Sequence, residues 1–360
     1  MTTAAATNPD GALVRIARRN VQPGGGSSIS ETAWSRTAWR WARPAGAAVT
    51  LAVVVWRLGA GPFLDGVRAV DGRALAAATA IGLLTTLCCA WRWTIVARGL
   101  GVRLSVPAAV AAYYRSLFLN VTLPGGVVGD VHRGVSHGRD VDDVGRGLRA
   151  VAWERAAGQV VQVVITVAVL LALPSPVRSS MPLVAVALVV TALGVALVGR
   201  VRPRGGRARW SRLRRAVAGD VRDGLLTGRA LPAIVLASTV VVLGHAVTFL
   251  IAARTAGATA PASRMLPLAL LAMTAMVLPS VAGWGPREGA TAWVFGAAGL
   301  GAGAGVATAV VYGVMVLVAS LPGAVVLVAV WLRRAQPAGR PEPVPARVMV
   351  ARRPERAADA

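Results

Sequence analysis

The chain of 360 residues contains no lysine: its 39 basic residues are all arginine, set against 15 acidic ones. Aromatic residues make up only 5%, and there are two cysteines and three histidines. Each scarcity removes a class of function. Cys88 and Cys89 are neighbours inside an apolar run, where neither a disulfide framework nor a metal site can be built. His132, His137 and His245 are too scattered for a zinc motif. No nucleophile with a matching base, no Walker loop and no metal cluster is visible, so no cofactor is expected. The missing lysines fit a bias towards GC-rich codons and carry no chemistry.

What fills the chain is aliphatic. Hydrophobic residues are 55% of it, mean hydropathy is +0.61, and the apolar mass is Ala, Val and Leu with 40 glycines. A soluble domain of this length does not tolerate that composition, and small residues are what let membrane helices approach closely. The expectation is an all-α polytopic membrane protein. A formal charge of +24 would suggest nucleic acid in a soluble protein. Here the arginines cluster in loops between apolar runs, as the positive-inside rule expects of cytoplasmic segments. Membrane lipids, not nucleic acid, are the expected partners. Residues 1 to 43 read as a disordered cytoplasmic arm and 333 to 360 as an Arg/Pro-rich cytoplasmic tail.

A bilayer core takes about 20 apolar residues as helix. The candidates are 44–60, 74–96, 106–122, 151–173, 181–199, 230–252, 264–282 and a long run at 304–332. If all crossed, the loop at 200–229, the most basic in the chain, would lie opposite the N-terminal arm and break the positive-inside rule. The segment 106–122 is short, carries Tyr113, Tyr114, Arg115 and Asn120, and runs into Pro124 and its glycines, so it is expected to dip in and return. The same reasoning makes 264–282 re-entrant from the other face, with 289–300 as its returning limb. About six full crossings and two re-entrant elements result, with both termini cytoplasmic and roughly thirty arginines inside.

The two re-entrant elements echo one another: Leu123-Pro124 reaches Arg133 through glycines, and Leu278-Pro279 reaches Arg287 through glycines. Entry from opposite faces is the pattern of inverted repeats whose broken helices meet near the midplane and bind a polar substrate. In the basic loop, Trp210, Leu213, Val217 and Val221 recur at helical spacing, which suits either an amphipathic helix on the anionic inner leaflet or a solvated loop.

Charge at membrane depth is expensive and needs a partner or a wet cavity. The candidates are Asp130 with Arg133, Glu154 with Arg155, Arg287 with Glu288, and Arg115 beside Tyr113 and Tyr114. Guanidinium is a planar fork matched to phosphate oxygens. A head-group site of Arg133, Arg155 and Arg287, oriented by Asp130, Glu154 and Glu288, is the functional expectation; interhelical ion pairing is the structural one. Backbone N–H groups freed at Gly125, Gly126 and Gly129, and at Gly283 and Gly285, would assist. Arg57, Arg92 and Arg98 suit arginines snorkelling to the interface. Asp140, Asp142 and Asp143, among glycines, read as a solvated turn.

These motifs resemble the flippase-like membrane domain of bacterial lysylphosphatidylglycerol synthases, a domain also found as stand-alone proteins. The resemblance rests on Asn120, Pro124-Gly125-Gly126, Gly129-Asp130 and Arg133; on Glu154-Arg155 and Gly158; and on Pro279, Gly283, Gly285 and Arg287-Glu288-Gly289, over about residues 74–332. It departs at Val128, where the family usually has glycine, and at Trp284 and Pro286. The resemblance implies movement of a phospholipid or lipid-linked head group between leaflets of a bacterial inner membrane. The chain ends in a short tail where the synthases carry an aminoacyl-transfer domain, so synthase activity is not expected.

Three functions remain in play. The first is a transporter, not an enzyme, moving an anionic or zwitterionic lipid by alternating access, with Glu154 or Asp130 as candidate proton carriers. The second is a membrane enzyme that modifies lipids or transfers sugars. The third is a non-transporting partner subunit that docks through the basic loop.

Overall fold

The computed structural model describes residues 56, 61–123, 125–200, 208–276 and 284–335, and every regular element among them is helical. The expected arm at 1–43, nearly all of the run at 44–60, the proline and glycine positions Pro124, Pro279 and Gly283, and the tail beyond 335 lie outside the described residues. The helices are α1 (Gly61–Ala69), α2 (Gly72–Gly99), α3 (Val106–Thr122), α4 (Val128–Asp140), α5 (Val144–Ala172), α6 (Met181–Arg200), α7 (Ala208–Gly224), α8 (Ala230–Thr255), α9 (Ala262–Ala275), α10 (Pro286–Ala297), α11 (Ala302–Ser320) and α12 (Pro322–Ala335).

Two of the long helices start on aspartate caps. The Asp71 side chain accepts from the Ala74 N–H at 2.6 Å and that of Asp143 from the Arg146 N–H at 2.8 Å, each satisfying a donor that an α-helix leaves open. The helices α2, α5 and α8 have 28, 29 and 26 residues and are long and apolar enough to cross a membrane, as is the stretch Ala302–Arg333. That last stretch, expected as a run over 304–332, is helical in two parts. Pro322 lacks the N–H that would continue the ladder, and the chain divides there into α11 and α12. The second part packs along α3, where a Cβ on Gly323 would stand 2.1 Å from the Tyr114 carbonyl oxygen. The basic loop contains the helix α7, and Asp142, at φ 54°, makes the turn between α4 and α5.

The short helices form two hairpins. At 17 and 13 residues, α3 and α4 span about 25 and 20 Å, and α9 and α10, at 14 and 12 residues, about 21 and 18 Å, each less than a hydrocarbon core of about 30 Å. Both ends of the first hairpin lie at the C-terminal end of α2. There Val102 and Leu104 ahead of α3, and Val141 after α4, pack with Ala97 and Ala150. Both ends of the second lie at the other end of the bundle: Met265 of α9 packs with Ala74, Phe249 and Ala253, and the Arg264 guanidinium donates to the carbonyl of Ala298, just after α10. The hairpins therefore enter from opposite ends.

They belong to a repeat. Helices α3, α4 and α5 start 34, 56 and 72 residues after the start of α2, and α9, α10 and α11 start 32, 56 and 72 residues after the start of α8. The equivalent helices α2 and α8 run antiparallel, since Arg92 meets Ser238, Thr85 meets Gly244, and Ala74 and Ala78 pack with Phe249, Ala252 and Ala253. The fourth residue of α5, Gly147, presses on the carbonyl of Gly134 in α4, and the fourth residue of α11, Gly305, presses on that of Thr291 in α10. A Cβ there would stand 2.4 and 2.5 Å from those oxygens. The expected inverted repeat is thus present in the backbone.

Candidate functional site

Where the hairpin tips converge, the bundle encloses a cavity of about 280 Å³. Gly126 reaches it from the first break, and Met276, Pro286 and Arg287 from the second; α2, α3, α5, α8, α9 and α11 supply the remaining wall. The two re-entrant elements, whose meeting the sequence left open, share this space. Their breaks need glycine, because Gly125, Gly126 and Gly285 have φ values of 105°, 66° and 110°, a region costly for residues with a Cβ. The first hairpin closes tightly: a Cβ on Gly129 would stand 2.0 Å from the Ser116 carbonyl oxygen, and the Gly129 N–H donates to Asn120 Oδ1 at 2.7 Å.

A lattice of buried charge backs one side of the cavity. Glu154, wholly buried, accepts from Arg92 Nε at 3.0 Å and Nη2 at 2.5 Å through one oxygen, and from Arg133 Nη2 at 3.1 Å through the other. Asp130 accepts from Ser116 Oγ at 3.1 Å and Arg133 Nη2 at 3.0 Å on Oδ1, and from Asn120 Nδ2 at 3.0 Å and Arg155 Nη2 at 2.5 Å on Oδ2. The Arg133 guanidinium carbon lies 4.4 Å from the Trp93 ring centroid and 4.2 Å from that of Tyr113, so its apolar faces are covered by π-surfaces. Arg92 also donates to Ser238 Oγ at 2.8 Å, tying α2 to α8. Such a lattice survives burial because its charges are paired and its acceptors filled.

The opposite side is simpler. Arg287 donates through Nε at 2.9 Å and Nη2 at 2.5 Å to Glu288 Oε1, while Glu288 Oε2 accepts from the N–H of Gly285, closing the start of α10 at 2.7 Å. The Tyr312 ring lies 5.5 Å from the Arg287 guanidinium, and its hydroxyl lies 2.9 Å from His245 Nδ1. Gly313 leaves room for this arginine, since a Cβ there would stand 2.4 Å from Arg287 Nη2.

The family model of the lysylphosphatidylglycerol synthase TM region matches residues 40–323, well over half of the chain. The chain belongs to this family. It is a polytopic helical membrane protein of the lysylphosphatidylglycerol synthase TM-region type, with four stretches long and apolar enough to cross a membrane among the described residues. No curated protein matches it.

Within this family member, the site residues anticipated from sequence fall into two sets. Asn120, Arg155 and Arg287 border the cavity with Gly126, whereas Arg133, Asp130, Glu154 and Glu288 stand behind them as partners. Gly125 and Gly285 shape the breaks, and Gly129 closes the first hairpin. Glu154 and Arg155 sit eleven and twelve residues into α5, because the Asp143 cap starts that helix well before its apolar stretch. Arg92, which suited an interfacial position, is buried and lines the cavity. Sequence reasoning also passed over His245, Tyr312 and Ser238. Only the repeat register offers a signal for one of them: the eleventh residue of α5 is Glu154 and the eleventh of α11 is Tyr312.

Proposed function

We propose that this protein moves a phospholipid or lipid-linked head group between the leaflets of a bacterial inner membrane, with the cavity between the hairpin tips as the head-group site. One observation carries the reading: a cavity with three arginines on its wall sits where two hairpins of an inverted repeat meet, each hairpin entering from its own end of the bundle. That is the geometry in which rocking one repeat against the other opens a central site to alternate faces. Family membership supports a lipid-related role. The orientation that suits the arginines of the 200–229 loop puts α7, and with it the open ends of α3 and α4, on the cytoplasmic side, where that loop meets anionic inner-leaflet lipid.

The rival reading, a membrane enzyme in which a cavity carboxylate acts as acid or base, needs that carboxylate free. Every carboxylate oxygen of Asp130, Glu154 and Glu288 is already engaged, which disfavours that form of the enzyme reading. The same engagement favours downhill exchange over proton carriage by Asp130 or Glu154.

The test is reconstitution of the purified chain in liposomes with fluorescent lipids and a membrane-impermeant quencher. Faster leaflet exchange than in empty liposomes, lost on Arg155→Ala with Arg287→Ala, is the expected result. Exchange no faster than in empty liposomes, or unchanged in the double variant, overturns the reading.

A further inference from the structure

The charges on the cavity wall differ in kind from those behind it. Arg92, Arg155 and Arg287 line the cavity, and no carboxylate does among the described residues. In sequence, position 124 and positions 277–283, which adjoin the lining positions Gly126 and Met276, contain no Asp or Glu either. Asp130, Glu154 and Glu288 are turned away, and each of their six oxygens holds at least one donor. Counting the partners, four arginines face three carboxylates, leaving one positive charge over.

That surplus has a place to act. The Arg155 side chain is 42% accessible although it lies within the bundle, against 5% for Arg92 and 6% for Arg287. Its Nη2 is held by Asp130 at 2.5 Å, and its Nε is buried without a hydrogen-bond partner among the described residues. The accessible remainder is a guanidinium held on one side, able to donate to a phosphate oxygen. Around it the polar wall is neutral: Asn120, Gln159, Gln162, Ser238 and Thr248 offer amides and hydroxyls. Residues 155, 159 and 162 recur at helical spacing, so Arg155, Gln159 and Gln162 form one stripe along α5 facing the space. The volume lies just under the about 300 Å³ at which pockets for drug-sized ligands begin, enough for a head group without its acyl chains.

An ammonium group finds no free carboxylate there, only neutral acceptors beside three arginines. To gain an anionic partner it would have to take a carboxylate from an arginine and leave that arginine buried and unpaired, while standing among three like charges. We therefore propose, resting on the head-group reading above, that the cavity selects a phosphodiester monoanion whose remaining surface is hydroxylated, and excludes head groups that carry an ammonium, aminoacylated lipids among them.

The test measures binding apart from transport. The detergent-purified full chain is titrated with dihexanoyl phosphatidylglycerol, with the lysyl ester of that lipid, and with soluble glycerophosphoglycerol, following intrinsic tryptophan fluorescence. The phosphatidylglycerol is expected to bind at least about tenfold more tightly than its lysyl ester, which costs one decade of affinity for one misplaced charge. Gln162→Glu, which adds a carboxylate to the wall, is expected to narrow or reverse that ratio, and Arg155→Gln to weaken phosphatidylglycerol binding. Equal binding of the two lipids, or a ratio unmoved by Gln162→Glu, overturns the proposal. Glycerophosphoglycerol binding as tightly as the short-chain lipid overturns its lipid part and assigns the site to a soluble phosphodiester. Selective binding without leaflet exchange refutes the transport reading alone; exchange of both lipids at equal rates refutes the selectivity alone.

Discussion

Glu154→Gln is the substitution that tests whether the charge lattice holds this membrane bundle together. Glutamine keeps the volume and one acceptor but removes the charge from a wholly buried position that receives Arg92 at 2.5 Å and Arg133 at 3.1 Å. Arg133 retains Asp130 at 3.0 Å, whereas Arg92 is left with Ser238 Oγ at 2.8 Å and the weak acceptor Cys89 Sγ at 3.8 Å. The loss therefore falls on Arg92. Breaking a buried pair by removing one partner costs about 3–5 kcal/mol, and the surviving glutamine acceptor puts this case at the low end. At about 2–4 °C per kcal/mol for a domain of a few hundred residues, the melting temperature should fall by roughly 6–12 °C.

The assay is thermal unfolding of the detergent-purified chain, with Arg92→Gln and the double variant completing a cycle. Arg92→Gln alone strands part of Glu154 and is also destabilising. The double variant should be more stable than Glu154→Gln alone, because it removes one charge of each sign and restores the original surplus. A Glu154→Gln melting temperature within about 2 °C of the parent, or strictly additive losses, would refute the reasoning.

Other outcomes follow from the fold. Gly147→Ala and Gly305→Ala should each cost about 1–3 kcal/mol, since both force a methyl onto the backbone of the preceding short helix, while Gly194→Ala, which meets nothing within 4 Å, should be neutral or slightly stabilising; thermal unfolding of the three variants decides, and a tolerated alanine at either repeat position contradicts the packing described. In a background lacking Cys88 and Cys89, Asp140→Cys and Thr259→Cys should label from opposite sides of the membrane, because they lie at the open ends of the two hairpins; labelling by one impermeant reagent on one side sinks the opposed-hairpin topology. Amide exchange should be faster in α10 than in α4, since α4 is joined to α5 by Arg133–Glu154 and Arg155–Asp130, and the ion pair of Arg287 is with the adjacent Glu288; equal protection speaks against that difference.

Much of the architecture was legible because it follows from cost. Arginine in loops, a proline with glycines ahead of Asp130, and a second such break before Arg287 are hard to reconcile with plain crossings, and the short helices at those positions form hairpins. The division at Pro322 was less legible, since hydropathy runs unbroken across it and only the missing N–H marks the change. Which arginine faces the cavity was not legible. Arg133 sits in the glycine-rich motif and Arg92 in a plain apolar run, yet it is Arg92 that lines the cavity while Arg133 lies between Trp93, Tyr113 and two carboxylates, a difference set by packing between helices far apart in the chain.

The repeat is exact enough in backbone to expose a difference in chemistry. The second and third residues of α4 are Gly129 and Asp130, and those of α10 are Arg287 and Glu288. In the first half, the carboxylate on the short helix takes its cations from α5 and from the next turn of its own helix, so hairpin and long helix are joined by charge. In the second half, the cation stands beside its carboxylate, and the residue equivalent to Glu154 is Tyr312, which meets Arg287 with a ring instead of an anion. Separating α10 from α11 thus exposes no broken ion pair among the described residues, whereas separating α4 from α5 breaks two. An inverted repeat equal in chemistry as well as backbone would open to either side with equal ease. Here the hairpin at the α7 end is the more firmly held, so the proposed transport predicts opening first through α9 and α10.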